Sequence, residues 1–504
     1  MRTRLPAPTA PLAAIDMGSN SFRVEIGQLL HGRYKRVLYE KDTVRLGAGL
    51  DDQSCLTEAA MQRGLECLAR FAKHLAGFAP EQVRAVATQT LREARNRDDF
   101  LRRAEAALGF PIEVISGREE ARLIYAGVAH LQPSTTPRLV IDIGGRSTEM
   151  ILGHDRVPVT AESFKVGSVS LSMRWFADGR FTAEAFRQAQ IAAGAELEEA
   201  LQLFAPVYWR EALGSSGTAG AVSQVLAAAG VTDGRITPEA LRWCIEQCLA
   251  AGESSRLNLP SLREDRKPII GGGLALLYTL LTHFGIRELK PAKGALRQGV
   301  IFDLHERHGA LRGPRGQRGA DMRDLTVREL QVRFDIDVEQ AGRVREMATA
   351  LLRSALPQAE GEASRELGWA ADLHEMGLMV SHHDHHRHGA YLMAHVDAPG
   401  FSQSQQRRLG DLILAQRGGL RKVDDALAQT EMAWQVLALR LAVIKCHSRG
   451  DIDPHRLALR RDGRTARLSY STKWGAAHPR TLHLLREEAQ AWSRHPALRL
   501  ELPS

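Results

Sequence analysis

Cysteine is scarce in this sequence: five residues in 504, an odd number with no Cys-X-X-Cys pair, which excludes a disulfide framework and a zinc-ribbon spacing and fits a reducing compartment. Cys244 and Cys248 lie one helical turn apart and read as core residues. Long apolar runs are missing too. No stretch approaches the ~18 consecutive apolar residues of a membrane span, and the opening MRTRLPAPTAPL has no signal-peptide core and reads as a disordered tail over 1–11. The expectation is a cytoplasmic protein with membrane contact at most peripheral. Aromatic residues make up only 6% of the chain, but 44% of positions are hydrophobic and helix-period apolar patterns recur, so wholesale disorder is excluded. No zinc-finger or helix-turn-helix signature is present, so specific nucleic-acid recognition is not expected. The formal charge of +8 points to a polyanion partner without choosing which.

The most informative feature present is a repeat. The segment 13–21, AAIDMGSNS, returns at 140–147 as VIDIGGRS, with Asp, Gly and Ser in the same register. Each copy is an apolar strand ending in Asp, a tight Gly-containing turn, and a second strand (22–30 and 148–153). Around the first copy, helical spacing over 57–77 and 97–108 flanks a buried strand at 83–88. Around the second, a helix near 182–204 precedes the strand-turn ALGSSGT at 212–218 and PIIGGG at 268–273. Two similar α/β halves follow from this. From about 304 the character changes: LRGPRGQRG at 311–319 reads as a linker, helical periodicity continues to about 447, and a hairpin (456–459 with 466–470), a helix and a closing strand at 498–502 end the chain.

A strand ending in Asp before a Gly/Ser turn offers backbone N–H groups and hydroxyls to phosphate oxygens, while the carboxylate holds a hydrated cation. One copy alone could be an ordinary turn; two in register make a clamp for a phosphate chain. Gly214, Ser215, Ser216 and Gly217 offer a third loop of this kind, whereas Gly271–Gly273 reads equally well as a helix entry without a ligand. Ser116-Gly117-Arg118-Glu119-Glu120 puts two carboxylates at the start of a helix. Acids stabilise a helix N-terminus, but one of these could also accept a proton from water attacking a phosphorus.

The segments AAIDMGSNSFR, ATQTLREARN, ISGREEARLIYAGV, VIDIGGRSTE, ALGSSGTAGA, KGALRQGV and LHEMGLMVSHHDHHRHGAYL, in this order, resemble those of the exopolyphosphatase and guanosine pentaphosphate phosphohydrolase family, within the actin-like ATPase superfold. The resemblance implies Glu120 as general base with Glu119 beside it. It further implies Asp16, Asp142 and Glu149 as magnesium ligands, and Gly18, Ser19, Asn20, Ser21, Arg92, Gly144, Gly145 and Ser147 as phosphate-binding residues. Arg146 stands where many relatives have a third glycine: it would be strained if the backbone there needs a positive φ, and it would add a cation for the polyanion. The histidine-rich stretch His374, His382, His383, His385, His386 and His388 resembles an HD-phosphohydrolase region in which the metal-binding His-Asp pair reads His374-Glu375, and a channel or structural role is favoured there over a second hydrolytic centre.

The fold expectation is therefore α/β, with two ribonuclease-H-like (actin-like ATPase) halves at 12–124 and 125–303 around a cleft, a helical HD-related domain at 304–447 and a small α+β module at 448–504. The functional expectation is a magnesium-dependent exopolyphosphatase, with potassium as a candidate activator, inorganic polyphosphate as leading substrate and a homodimer as the assembly. Guanosine pentaphosphate is the alternative substrate, with a base-binding pocket expected near 214–218, and a non-catalytic sensor is a third reading.

Overall fold

A computed structural model describes residues 10–30, 32–312, 321–358, 361–450, 453 and 457–503. Residues 1–9 of the tail expected at 1–11, residues 313–319 of the linker expected at 311–319, and Arg456 of the last hairpin lie outside them; Leu311 and Arg312 end a helix instead. The chain forms two compact units, one ending at Gly319 and the other running from Ala320 to Ser504.

Among the described residues, ten strands build the first unit: β1 (Leu12–Met17), β2 (Phe22–Leu30), β3 (Arg33–Asp42), β4 (Val83–Ala87), β5 (Ile112–Val114), β6 (Arg138–Ile143), β7 (Thr148–His154), β8 (Val157–Phe164), β9 (Glu211–Ser215) and β10 (Leu289–Pro291). They form two sheets, ordered β3-β2-β1-β4-β5 and β8-β7-β6-β9-β10. In each, the central hairpin is antiparallel and the two strands beyond it are parallel, so the sequence repeat is a repeat of topology. The central strands β1 and β6 are apolar and almost wholly buried, because sheet neighbours flank them on both sides and helices cover their faces.

Two helices, Gly117–Leu131 and Leu296–Arg312, join the halves. Their apolar faces share a core with Ala14 and Val86 of one sheet and Val140 and Leu213 of the other. They cross on glycine: a Cβ on Gly299 would lie 1.7 Å from the Leu123 carbonyl oxygen, and one on Gly127 2.3 Å from that of Ala295. Because the second helix runs unbroken through 304, where the helical domain was expected to begin, the first unit extends beyond that boundary. Of the two readings of 268–273, the helix entry is the one found. Gly271–Gly273 open the helix Ile270–His283, and Gly272 has no room for a Cβ because Ser168 and Ser172 of the helix Ser168–Trp175 pack against it.

In the second unit, helices from Met322–Arg333 to Thr430–Lys445 share one core with β11 (Ala458–Asp462), β12 (Thr465–Ser469), β13 (Arg499–Glu501) and the helix Pro479–Ser493. Trp369, Trp434 and Trp492 lie in it, and the buried pair Arg440–Glu488 at 2.5 Å ties the last helix in. The module expected at 448–504 therefore has no separate core. Among the described residues no helix is long and apolar enough to cross a membrane.

Candidate active site

The two hairpin turns, 18–21 and 144–147, face each other across a cavity of about 450 Å³ between the halves of the first unit. Their shape comes from glycine. A Cβ on Gly18 would lie 3.1 Å from the Ser21 carbonyl oxygen, and one on Gly144 3.0 Å from that of Ser147. Gly18, Ser19, Asn20, Ser21, Gly144, Gly145 and Ser147 all line the cavity, with Ser216, Gly217 and Thr218 on a third side. Ser216 stands at φ +90°, a conformation that side chains rarely adopt. Gly217 admits Arg266, whose Nη2 lies 2.0 Å from where a Cβ would be. The second turn is held by the helix Ser168–Trp175, whose first N–H groups donate to the Gly144 and Gly145 carbonyls at 2.8–3.0 Å.

Glu120 projects into this cavity from the first turn of the helix Gly117–Leu131, whose N-cap Ser116 accepts from the Glu119 N–H at 3.1 Å. Its Oε2 accepts from Arg92 Nη1 at 2.9 Å. Burial, opposed by Arg92 and reinforced by Asp16 and Asp142, pushes its carboxyl up to about 7. Asp142 is also raised, to about 6, by burial and the nearby Asp16, against a Ser215 hydrogen bond and Arg23. Glu149 stands well above its ordinary value through burial and the charges of Glu120 and Asp142. Three carboxylates, Asp16, Glu120 and Asp142, thus line the cavity floor, with Glu149 buried behind them. Asp16 and Asp142 face the cavity as hard oxygen donors, a chemistry that fits a divalent cation sharing its coordination with phosphate oxygens and water. Among the described residues no three His, Cys, Asp or Glu side chains converge into a self-sufficient metal cage.

Several expected site residues lie behind the wall. Glu149 is buried and accepts from Ser163 Oγ at 2.8 Å, so it does not complete a three-carboxylate site. Glu119, one position and about 100° of helix from Glu120, pairs instead with Arg122 at 2.7 Å and Arg84 at 3.6 Å in a buried network with Asp303. Arg92 does not face the cavity; besides Glu120 its guanidinium bonds Gln89 and the Ile115 carbonyl. Gly214 packs against Leu289, and Ser215 donates to the Gly294 carbonyl at 3.1 Å, so only the second half of that loop reaches the cavity. Arg146 has no positive φ, so the expected strain is absent. It pairs with Glu93 of the other half at 3.0 Å and donates to the Gly47 carbonyl at 3.3 Å, so its charge is engaged there. The histidine-rich stretch forms no metal centre: His374 is buried with Nδ1 on the Ala371 carbonyl at 2.7 Å, Glu375 pairs with Arg449, and His382 and His383 are exposed.

The sequence reading missed most of the cations. Arg23, Arg36, Lys41, Arg263, Arg266, Lys293 and Arg297 line the cavity. Arg23 lies within the segment AAIDMGSNSFR, and Lys293 and Arg297 within KGALRQGV, so the resemblance covers their positions without giving them a role; no sequence signal marks Arg263 or Arg266. Burial and repulsion from Arg23 hold Arg266 below its usual value, and burial with the charge of Arg266 does the same to Lys41. Cations crowded to the point of mutual repulsion form a receptor for an anion of high charge. Carboxylates on the floor, guanidinium and ammonium groups on the walls, and one buried base near neutrality are the parts needed to hydrolyse a phosphoanhydride with metal assistance.

Comparison with known proteins agrees with this geometry. Residues 26–308 match the Ppx/GppA phosphatase family and residues 322–489 its domain III. The chain is 35% identical over 489 residues to the guanosine-5'-triphosphate,3'-diphosphate pyrophosphatase of Vibrio cholerae serotype O1, covering 96% of both chains. It is 36% identical to the protein of that name from Pseudoalteromonas atlantica, covering 95% of each. Among solved structures it is similar to an exopolyphosphatase from Cytophaga hutchinsonii, with a TM-score of 0.54 at 23% identity over 59% of this chain and 98% of that one. It is likewise similar to the Aquifex aeolicus PPX-GPPA enzyme, with a TM-score of 0.50 at 24% identity over 58% of this chain and 99% of that one. The fold of the first unit is the actin-like fold of these structures.

Proposed function

The chain belongs to the Ppx/GppA phosphatase family, and from that premise we propose that it removes the terminal 5'-phosphate of guanosine 5'-triphosphate 3'-diphosphate. The observation that carries the chemistry is Glu120 between the two Asp-Gly turns in a cation-lined cavity. The choice of nucleotide rests on the two relatives of that name, which match over nearly the whole chain. This reverses the order expected from the sequence, where polyphosphate led.

In the mechanism, N–H groups of the turns 18–21 and 144–147 and the hydroxyls of Ser19, Ser21 and Ser147 cradle the terminal phosphates, and the wall cations neutralise the rest of the chain. Glu120, ionised, accepts a proton from a water molecule as the water oxygen attacks the terminal phosphorus. The bond to the bridging oxygen breaks on the far side, that oxygen leaves on the nucleotide, and orthophosphate departs. Arg92 orients the Glu120 carboxylate. Asp16 and Asp142 would hold Mg²⁺, which when bound stabilises charge on the phosphoryl oxygens.

Polyphosphate remains a second reading, favoured by the excess of seven cationic over three acidic side chains on the wall. The deciding experiment measures phosphate release with Mg²⁺ from guanosine 5'-triphosphate 3'-diphosphate and from long-chain polyphosphate, for wild type and Glu120→Gln. The expected result is a higher kcat/KM for the nucleotide and a loss of about 10²–10⁴-fold in the variant. A preference for polyphosphate would overturn the substrate assignment, and an active Glu120→Gln the assigned base.

A further inference from the structure

Among the described residues, Tyr39 is the one aromatic side chain lining the cavity. It lies on the edge strand β3, opposite Glu25 of β2, while Lys41 two residues on lies opposite Arg23 and Arg23 opposite Asp16. Alternation along a strand therefore puts Tyr39, Lys41, Arg23 and Asp16 on one face, towards the cavity. Tyr39 is 42% exposed. Its hydroxyl makes no hydrogen bond among the described residues, and it takes no part in the packed cores of the unit. Arg36 and Arg297 place their guanidinium groups 5.3 and 5.1 Å from the ring centroid.

Phosphate gives no reason for an exposed ring here, since the negative face of an aromatic quadrupole repels phosphate oxygens. A purine has the matching chemistry: it stacks on aromatic rings and on guanidinium planes. Position agrees. Two strand spacings of ~4.8 Å and two residue rises of ~3.4 Å separate Tyr39 from Asp16, about 12 Å in all, a span that a triphosphate and ribose bridge when the terminal phosphate lies at the Asp-Gly turns.

We propose that Tyr39, flanked by Arg36 and Arg297, is the platform on which the guanine base stacks, and is the residue that separates a nucleotide from a base-free phosphate chain. The inference rests on the nucleotide reading above, and it moves the base away from residues 214–218, where the sequence suggested a pocket.

The test measures kcat/KM for guanosine 5'-triphosphate 3'-diphosphate and for tripolyphosphate in wild type, Tyr39→Leu and Tyr39→Phe, with Mg²⁺. The leucine variant is expected to lower the nucleotide-to-tripolyphosphate ratio by on the order of tenfold, through KM rather than kcat, and the phenylalanine variant to keep it. An unchanged ratio in Tyr39→Leu overturns the platform while leaving the nucleotide reading intact. Wild type that cleaves tripolyphosphate but not the nucleotide overturns the reading and the platform together. Should the leucine variant fail to fold, inhibition of tripolyphosphate hydrolysis in wild type decides: guanosine 5'-monophosphate must inhibit at a concentration roughly tenfold below that of ribose 5-phosphate, and equal inhibition overturns the proposal.

Discussion

Glu120 is placed by one helix turn and tuned by its surroundings. Only the ionised carboxylate accepts a proton from water, and burial with the charges of Asp16 and Asp142 brings its titration to about 7. The rate constant kcat/KM should therefore fall as pH drops below that value. A cation at Asp16 and Asp142 cancels their repulsion and favours the ionised form, so raising the Mg²⁺ concentration should shift the acid limb to lower pH. Profiles at limiting and saturating Mg²⁺ check this, and an acid limb fixed against Mg²⁺ would count against Glu120 as the titrating group. Arg146 supplies the contrasting case. Engaged with Glu93 and the Gly47 carbonyl, it links the halves rather than the substrate. Arg146→Gly should leave KM within about twofold of wild type, and a double-mutant cycle with Glu93→Gln should give a coupling of ~0.2–1 kcal/mol in urea unfolding. A several-fold rise in KM without that coupling would restore it as a substrate cation.

At the scale of elements, the two hairpins were legible because a strand, an Asp and a Gly turn recur in register, and a local pattern written twice is hard to produce by chance. The helices 58–74 and 97–108 were legible from their apolar period. The edge strand β3, which carries Tyr39 and Lys41, was not. Most of its residues are partly or fully exposed, and a bulge opposite Ile26 and Gly27 breaks its alternation. Nor could a sequence show that Arg266 and Arg297, from segments far from the hairpins, meet at one cavity, since that convergence belongs to topology. The same holds for the buried network beneath Glu120, where Asp303 accepts from Arg84 at 2.7 Å and from Arg122 at 2.6 Å and pairs with Arg307 at 2.7 Å. Burial alone would raise the Asp303 carboxyl, but the three guanidinium groups hold it far below the usual carboxylate range. Its folded pKa is depressed, so its contribution to stability is complete above the unfolded value of ~3.9 and fades as pH falls towards the folded one. Asp303→Asn should thus destabilise by ~3–5 kcal/mol near neutrality, with the gap from wild type narrowing only below about pH 4. Denaturant melts at several pH values test both parts. A gap that narrows already between pH 7 and 5 would show that another group carries it.

On the scale of the whole molecule, every residue assigned a part in hydrolysis lies in the first unit, from Asp16 to Arg297, and so does the whole wall of the cavity. The joining helices 117–131 and 296–312 close that unit's core before Gly319, and their crossing at Gly127 and Gly299 needs nothing from the rest of the chain. The solved exopolyphosphatase of Cytophaga hutchinsonii matches over 98% of its own length while covering only 59% of this chain, so the same fold exists without a counterpart of the remainder. The second unit has its own core, built around Trp369, Trp434 and Trp492. A fragment ending at Gly319 should therefore unfold in a single cooperative transition of its own. It should also hydrolyse guanosine 5'-triphosphate 3'-diphosphate with a kcat within about threefold of the full chain, because the groups that act in the transition state are all retained. Any loss should appear in KM, and more steeply for long polyphosphate than for the nucleotide, since only a long chain can reach beyond a cavity of about 450 Å³. Calorimetry and steady-state kinetics on the fragment decide between this and an active site that the second unit completes: a folded fragment with kcat reduced a hundredfold would mean that residues beyond 319 act on the reacting phosphate.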